Sequence, residues 1–509
     1  MASSFGIEAA RAALDGGKPA LIWRQQVADT ETPVSAALKL MQEGRGDYLL
    51  ESVEGGETRG RHSMIGLAPD LVFRADGEQA AINRSWLQDR DAFCPETGDS
   101  LSALRALVEA CRMEVPEELP RALACLVGYF GYETIGLVEK LPRAPQSELA
   151  LPDMLFVRPT VILIFDRLAD ELFLVAPVWP ETIGDSDARI ASAEQRLDEA
   201  QRGLSNPVRP ETDAGRLPGT LSADEIQFAP QVSAEKYSEM VLRAKDYIEA
   251  GDIFQVVLAQ RFTTPFTLPP IELYRALRRI NPSPFLFFLD LPGFALTGSS
   301  PEILVRARDG EVTIRPIAGT RPRGRNAAED KANRDSLLDD PKERAEHLML
   351  LDLGRNDVGR VASAHSVEVT DSYTVEFYSH VMHIVSNVVG QLAPGKDALD
   401  ALFAGFPAGT VSGAPKVRAC QIIAELEPET RGAYAGGVGY FSPDGSMDSC
   451  IVLRTGIVKD GMLHVQAGAG IVADSDPDYE LAECRAKAGA LLAAAKEAVK
   501  RARDVGFGQ

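Results

Sequence analysis

The chain has 509 residues, with 53 Lys plus Arg against 74 Asp plus Glu and a formal net charge of −21. Hydrophobic residues make up 45% of it, which supplies a sizeable core and excludes general disorder. The negative excess repels phosphate backbones and anionic headgroups, so no nucleic acid and no membrane is expected as a partner.

The N-terminal MASSFGIEAARAALDGG has neither the basic nor the apolar region of a signal peptide, and no apolar run approaches about 18 residues, which gives a cytoplasmic expectation. Cys94, Cys111, Cys125, Cys420, Cys450 and Cys484 are scattered without a CxxC pair, so reduced thiols are expected.

Strand-like runs open the chain at 47–54, 62–69, 70–75, 124–133, 160–167 and 171–178. A helix is expected over about 101–112 and an exposed helix over 186–204. Residues 201–231, rich in Pro, Gly, Ser and Asp, read as a connector between an N-terminal region, 1–200, and a second region, 232–500. Ser233 is the expected N-cap of a helix reaching about Gly251. Strands follow at 254–262, 285–290, 294–299, 302–307 and 312–317, with hairpin spacing that predicts antiparallel pairing. A helical zone spans about 327–353, and strands recur at 366–371, 383–392, 434–441, 449–459 and 462–471. Asp476 as N-cap with Pro477 at the first helical position predicts a closing helix to about Ala502.

Two phosphate-loop patterns fail on context. GAGIVA at 468–473 lacks a following βαβ unit, and GTVSGAPK at 409–416 has Pro before its Lys, so neither a dinucleotide site nor a Walker A loop is expected. The remaining chemistry is carboxylates, small residues and cations. Glu346 and Glu483 lie on two distant helices and could meet around a hard divalent cation. Gly319 and Thr320, Gly409 and Thr410, and Gly468 to Gly470 fall at expected strand ends, where bare N–H groups can approach an anion. Arg321, Lys416, Arg454 and Lys487 are the candidate cations for a polycarboxylate.

The segments 297–306, 314–324, 346–361, 381–386, 408–419, 432–441 and 466–484 together resemble the chorismate-utilising enzymes, in the branch that forms anthranilate. The resemblance implies an α/β (α+β) fold of two large antiparallel β-sheets packed as a sandwich and flanked by helices. It also implies the roles of individual residues. Glu346 and Glu483 resemble the Mg²⁺ ligands. Gly319, Thr320, Tyr434, Arg454, Gly468, Ala469, Gly470 and Lys487 resemble the substrate clamp. Among the catalytic positions, Glu302 resembles the acid that assists departure of the C4 hydroxyl and His383 the residue tied to pyruvate elimination, with Thr410 beside them.

Two positions separate the branches of the family. Ala318 stands where makers of 4-amino-4-deoxychorismate carry a nucleophilic Lys, and Gln255 where water-adding relatives carry a general-base Lys. The implied reaction joins chorismate and ammonia to give 2-amino-2-deoxyisochorismate, then anthranilate and pyruvate, as the first step of tryptophan biosynthesis. Ammonia would come from a separate glutamine amidotransferase subunit, component II, in a heterotetramer. Ser52 in LLES and Pro284, Phe285 and Leu286 resemble the two sides of a pocket for inhibitory L-tryptophan. His62, Ser63 and Met64 depart from the aromatics that relatives carry nearby. Three alternatives stay open: an enzyme that releases the amino intermediate, an aminodeoxychorismate synthase, and a non-catalytic amino-acid-binding regulator.

Overall fold

The structure is a computed structural model and describes residues 4–54, 58–208, 222–378 and 381–503. Part of the expected connector, 209–221, lies outside the described residues.

Among the described residues the strands form two sheets of twelve strands each. The first runs from Ala20–Val27 through Glu171–Val178, Val161–Asp166, Thr58–Leu67 and Tyr48–Glu54 to Phe285–Leu291, Phe294–Ser300, Thr455–Lys459, Met462–Ile471 and Gln255–Pro265. The second runs from Ile317–Pro322 through Val381–Gln391, Glu311–Ile314, Ile303–Arg308, Met447–Ile451 and Gly437–Phe441 to Leu126–Phe130, Met154–Arg158 and Leu71–Asp76. Strands from before and after the connector thus share both sheets, and they meet antiparallel at Tyr48–Glu54 on Phe285–Leu291 and at Leu126–Phe130 on Gly437–Phe441.

Side-chain alternation explains the layering. Ile162, Ile164, Phe173 and Val175 of the first sheet pack with Val72, Tyr129, Leu155 and Val157 of the second. The opposite face of the same strands presents Val161, Leu163 and Leu174 to Ile190, Ala193 and Leu197 of helix Ser186–Leu204. These strands are apolar at consecutive positions, 161–165 and 172–178, because both faces are covered. Helix 186–204, expected to be exposed, is therefore amphipathic and docked. The two caps form as the sequence predicts: Ser233 accepts from Lys236 N–H, and Asp476 accepts from Asp478 and Tyr479 N–H at 3.1 and 3.0 Å. All six cysteines are free thiols. No helix among the described residues is long and apolar enough to cross a membrane.

One expected strand, 449–459, is two. Met447–Ile451 belongs to the second sheet and Thr455–Lys459 to the first, and the chain changes sheet at Arg454, which takes a left-handed φ of 47°. The same change occurs between Phe294–Ser300 and Ile303–Arg308, at Glu302. The two crossovers lie side by side: Ser299 N–H donates to the Arg454 carbonyl at 3.2 Å and Ile451 N–H to the Glu302 carbonyl at 3.0 Å. A sheet-to-sheet bend breaks ladder pairing, so it frees side chains that a strand interior would commit.

Candidate active site

Glu302 sits at one crossover, 8% exposed. Burial pushes its carboxyl up to about 8, and the Thr410 hydroxyl, 3.1 Å from each carboxyl oxygen, works against that rise. Gly409 and Thr410 lie in a one-turn helix, Gly409–Ser412, and not at a strand end as expected. The reason is local: Gly413–Ala414 pairs with Gln255–Val256, and the chain must turn immediately before it. A cavity of about 30 Å³ is lined by Glu302, Leu350, Gly405, Gly409 and Thr410, room enough for water beside the carboxyl.

His383 faces Thr320 across the ladder of the second sheet. Its Nδ1 is 3.0 Å from the Gly319 carbonyl and 3.1 Å from Thr320 Oγ1. A carbonyl only accepts, so Nδ1 carries the proton and Nε2 keeps its lone pair. Burial lowers the affinity of His383 for a second proton and the nearby Arg454 lowers it further, while the Gly319 carbonyl opposes both. Gly319 adopts φ +69°, and a Cβ there would stand 3.0 Å from Glu343 Oε2, so glycine is required.

The expected cations divide into two groups. Arg454 makes no ion pair or hydrogen bond through its guanidinium among the described residues, and burial lowers its pKa. Arg321 is committed to Asp340 at 2.7 Å and Glu343 at 3.0 Å, and Lys416 to Asp357 at 2.9 Å, so neither is available to a substrate. Lys487 bridges Glu483 at 2.7 Å and the Gly468 carbonyl at 2.9 Å, tying the closing helix to the glycine strand.

Gly468, Ala469 and Gly470 pair with Ala259, Leu258 and Val257. A Cβ on Gly468 would lie 2.9 Å from the buried Tyr434 hydroxyl, and one on Gly470 would lie 2.5 Å from Gln255 Nε2. Gln255 is itself buried, its amide oxygen has no partner among the described residues, and its amide opposes the rise in the pKa of Glu346. That rise comes from burial first, then from Glu343, with Glu483 adding to it. The structure thereby brings Glu346 of helix Pro341–Gly359 and Glu483 of helix Pro477–Arg503 to one locality. Two neighbouring half-buried carboxylates, one of them destabilised as an anion, fit a hard cation completed by water and ligand oxygens. No group of three or more His, Cys, Asp or Glu that could hold a metal occurs among the described residues, so a protein-only cage is not built.

Ser52 pairs with Phe285 and Glu51 with Leu286 in adjacent strands, so both expected sides of the inhibitor pocket are contiguous, with Pro284 preceding the second strand. Glu51 is buried between Arg278, Tyr274 and Arg167.

Two features escape motif reading. Tyr378 packs its ring 5.4 Å from that of His383. Arg431, 2% exposed, pairs with Glu427 at 2.5 Å and donates to the carbonyls of Val257 at 2.9 Å and Val411 at 2.7 Å, while its guanidinium lies over Tyr434. It clamps the backbone behind Gly470, Thr410 and Tyr434. A separate cavity of about 210 Å³ lies against this clamp, lined by Tyr132, Glu133, Cys420, Glu427 and Arg431 among others.

A family model described as chorismate binding enzyme matches residues 47–493. Anthranilate synthase component 1 of Cereibacter sphaeroides is 51% identical over 492 residues, 97% of each chain. That of Thermus thermophilus is 47% identical over 475 residues, 93% of this chain and 97% of its own. The crystal structure of anthranilate synthase component I from Streptococcus pneumoniae TIGR4 aligns with a TM-score of 0.74 at 36% identity, covering 92% of this chain and 99% of that one. A match of this extent to both sequence and fold makes the chain a member of the chorismate binding enzyme family, in the branch of the anthranilate synthase component 1 proteins.

Proposed function

We propose that this chain converts chorismate and ammonia to anthranilate and pyruvate through 2-amino-2-deoxyisochorismate. One observation carries the choice of nucleophile. Gln255, buried against Glu346 and Gly470, is an amide that cannot deprotonate water, so a nucleophile that arrives competent is required, and ammonia is one. Ala318 likewise supplies no amine for covalent attack.

In the first step ammonia bonds to C2 as the C4 hydroxyl leaves. Glu302, protonated to about pH 8, gives its proton to that hydroxyl, which departs as water, and the ammonium formed at C2 loses its surplus proton to solvent to leave the amine. In the second, His383 Nε2 takes the C2 proton while the C3–O bond breaks, and enolpyruvate leaves and tautomerises to pyruvate. Arg454, Tyr434, Thr320 and the backbone of Gly319, Gly468, Ala469 and Gly470 would hold the carboxylates of the substrate. Glu346 and Glu483 would hold Mg²⁺, which when bound neutralises and orients the ring carboxylate. Lys487 keeps Glu483 beside the glycine strand.

The same reading extends to regulation and assembly. Residues 1–200 supply the Ser52 side of a tryptophan pocket, 201–231 connect, and 232–500 carry the catalytic groups together with Pro284, Phe285 and Leu286. A component II amidotransferase supplies ammonia from glutamine in a cytoplasmic heterotetramer. Purified chain given chorismate, Mg²⁺ and ammonium at mildly alkaline pH should raise anthranilate fluorescence and pyruvate together, both suppressed by tryptophan. Chorismate consumption without pyruvate would favour an enzyme that releases the amino intermediate.

A further inference from the structure

Tyr378 follows strand Glu368–Phe377, is 7% exposed, and stands edge to face with His383 at an interplanar angle of 63°. Every part of it is fixed. Its hydroxyl donates to Glu376 Oε2 at 2.9 Å, Glu376 pairs with Arg315 at 2.5 Å, and Glu376 is the ladder partner of His383. Its N–H donates to the Val381 carbonyl at 2.8 Å, and its own carbonyl accepts from Arg323 at 2.7 Å. Such bracing costs conformational freedom and is expected where an orientation matters.

The imidazole is therefore held from two sides. Gly319 and Thr320 hold Nδ1, and the Tyr378 ring packs edge to face against the imidazole plane. Glu302, the proposed acid of the first step, is held independently by Thr410. The direct contacts that hold the two groups are thus different: Thr410 hydrogen-bonds Glu302, and the Tyr378 ring packs on His383 while its hydroxyl feels the Glu302 charge only at longer range.

We infer that Tyr378 is a positioning residue for pyruvate elimination, its ring keeping the His383 imidazole in the orientation that presents Nε2 to the C2 hydrogen of the amino intermediate. The inference rests on the role proposed above for His383. It predicts that loss of the ring uncouples the steps: addition of ammonia continues, proton removal slows, and intermediate escapes before the C3–O bond breaks.

Wild-type chain, Tyr378→Phe, Tyr378→Leu and His383→Asn are each given chorismate, Mg²⁺ and ammonium, and chorismate consumed, 2-amino-2-deoxyisochorismate released and pyruvate released are counted. Wild type and Tyr378→Phe should yield equal pyruvate and chorismate counts, because the ring is kept. Tyr378→Leu should release intermediate, with pyruvate per chorismate falling to about one half or lower, in the direction of His383→Asn. This ratio is counted per turnover and does not depend on how much protein folds. If Tyr378→Leu lowers consumption and pyruvate by the same factor, the tyrosine is merely structural and the inference is overturned. An unchanged ratio in His383→Asn overturns it through its premise. A wild type that consumes no chorismate removes the proposed function itself, a result distinct from both.

Discussion

The Thr410 hydroxyl lies 3.1 Å from both carboxyl oxygens of Glu302 and opposes the effect of burial on that carboxyl. Thr410→Val withdraws this support from the ionised form, so Glu302 should keep its proton beyond about pH 8. The alkaline limb of kcat should move to higher pH, read from rate profiles at saturating chorismate. A limb that stays in place would remove Glu302 from the role of acid.

Glu302 also links stability to pH. The folded state holds its proton to about 8, while the unfolded chain releases it near 4.5. Between these values the folded state binds more protons, so the contribution is full below the unfolded pKa and is lost as pH rises through the folded one. Glu302→Gln cannot titrate. The urea midpoint of the wild type should therefore drop more than that of the variant between about pH 5 and about pH 8. Parallel drops would contradict the raised pKa.

Glu346 is a half-buried carboxylate whose proton affinity is raised by desolvation and by the nearby Glu343 and Glu483. Glu346→Gln removes a repelled charge, so the thermal midpoint should hold or rise while Mg²⁺-dependent turnover falls by at least about 10²-fold. Melting by circular dichroism and a Mg²⁺ titration of anthranilate formation read the two effects separately. A large loss of midpoint would assign Glu346 to stability.

Arg431 is 2% exposed and pairs with Glu427 in the wall behind the site. Arg431→Met leaves Glu427 buried without its partner and two backbone carbonyls without a donor. The expected cost is about 3–5 kcal/mol in urea unfolding. A cost near zero would mean that the pair is dispensable.

Ser52 and Phe285 are ladder partners at the proposed inhibitor pocket. Ser52→Ala should raise the tryptophan concentration for half-inhibition by about tenfold, one lost polar contact at that site. Unchanged inhibition would move the pocket away from LLES.

Local signals were legible where the chemistry is local. Ser233 and Asp476 mark helix starts by side chains that accept from backbone N–H groups two or three residues on, Pro477 marks one by a ring that presets the first helical φ, and strand Met462–Ile471 lies where it was expected. Helix Pro270–Ile280 is missing from the expected elements although Pro270 and the spacing of Leu273, Tyr274 and Leu277 announce it. Helix Ala398–Gly405 is harder, since it is buried nearly all round and shows no amphipathic period, but Asp397 and Asp400 form a capping box.

The sequence by itself determined the chemical inventory: which positions carry carboxylates, which carry glycine, and that Gln255 and Ala318 are not lysines. Identity at a position is covalent and needs no partner to be known. Only the tertiary structure decided which groups are free to act. Arg321 and Lys416 looked as available as Arg454 until each met a carboxylate from another segment, and the Glu302 carboxyl keeps its proton to about pH 8 because helices from later in the chain, among them the turn carrying Thr410, pack over it and bury it. Charge pairing and desolvation depend on what folds alongside a residue, and that is set by contacts far apart in the chain.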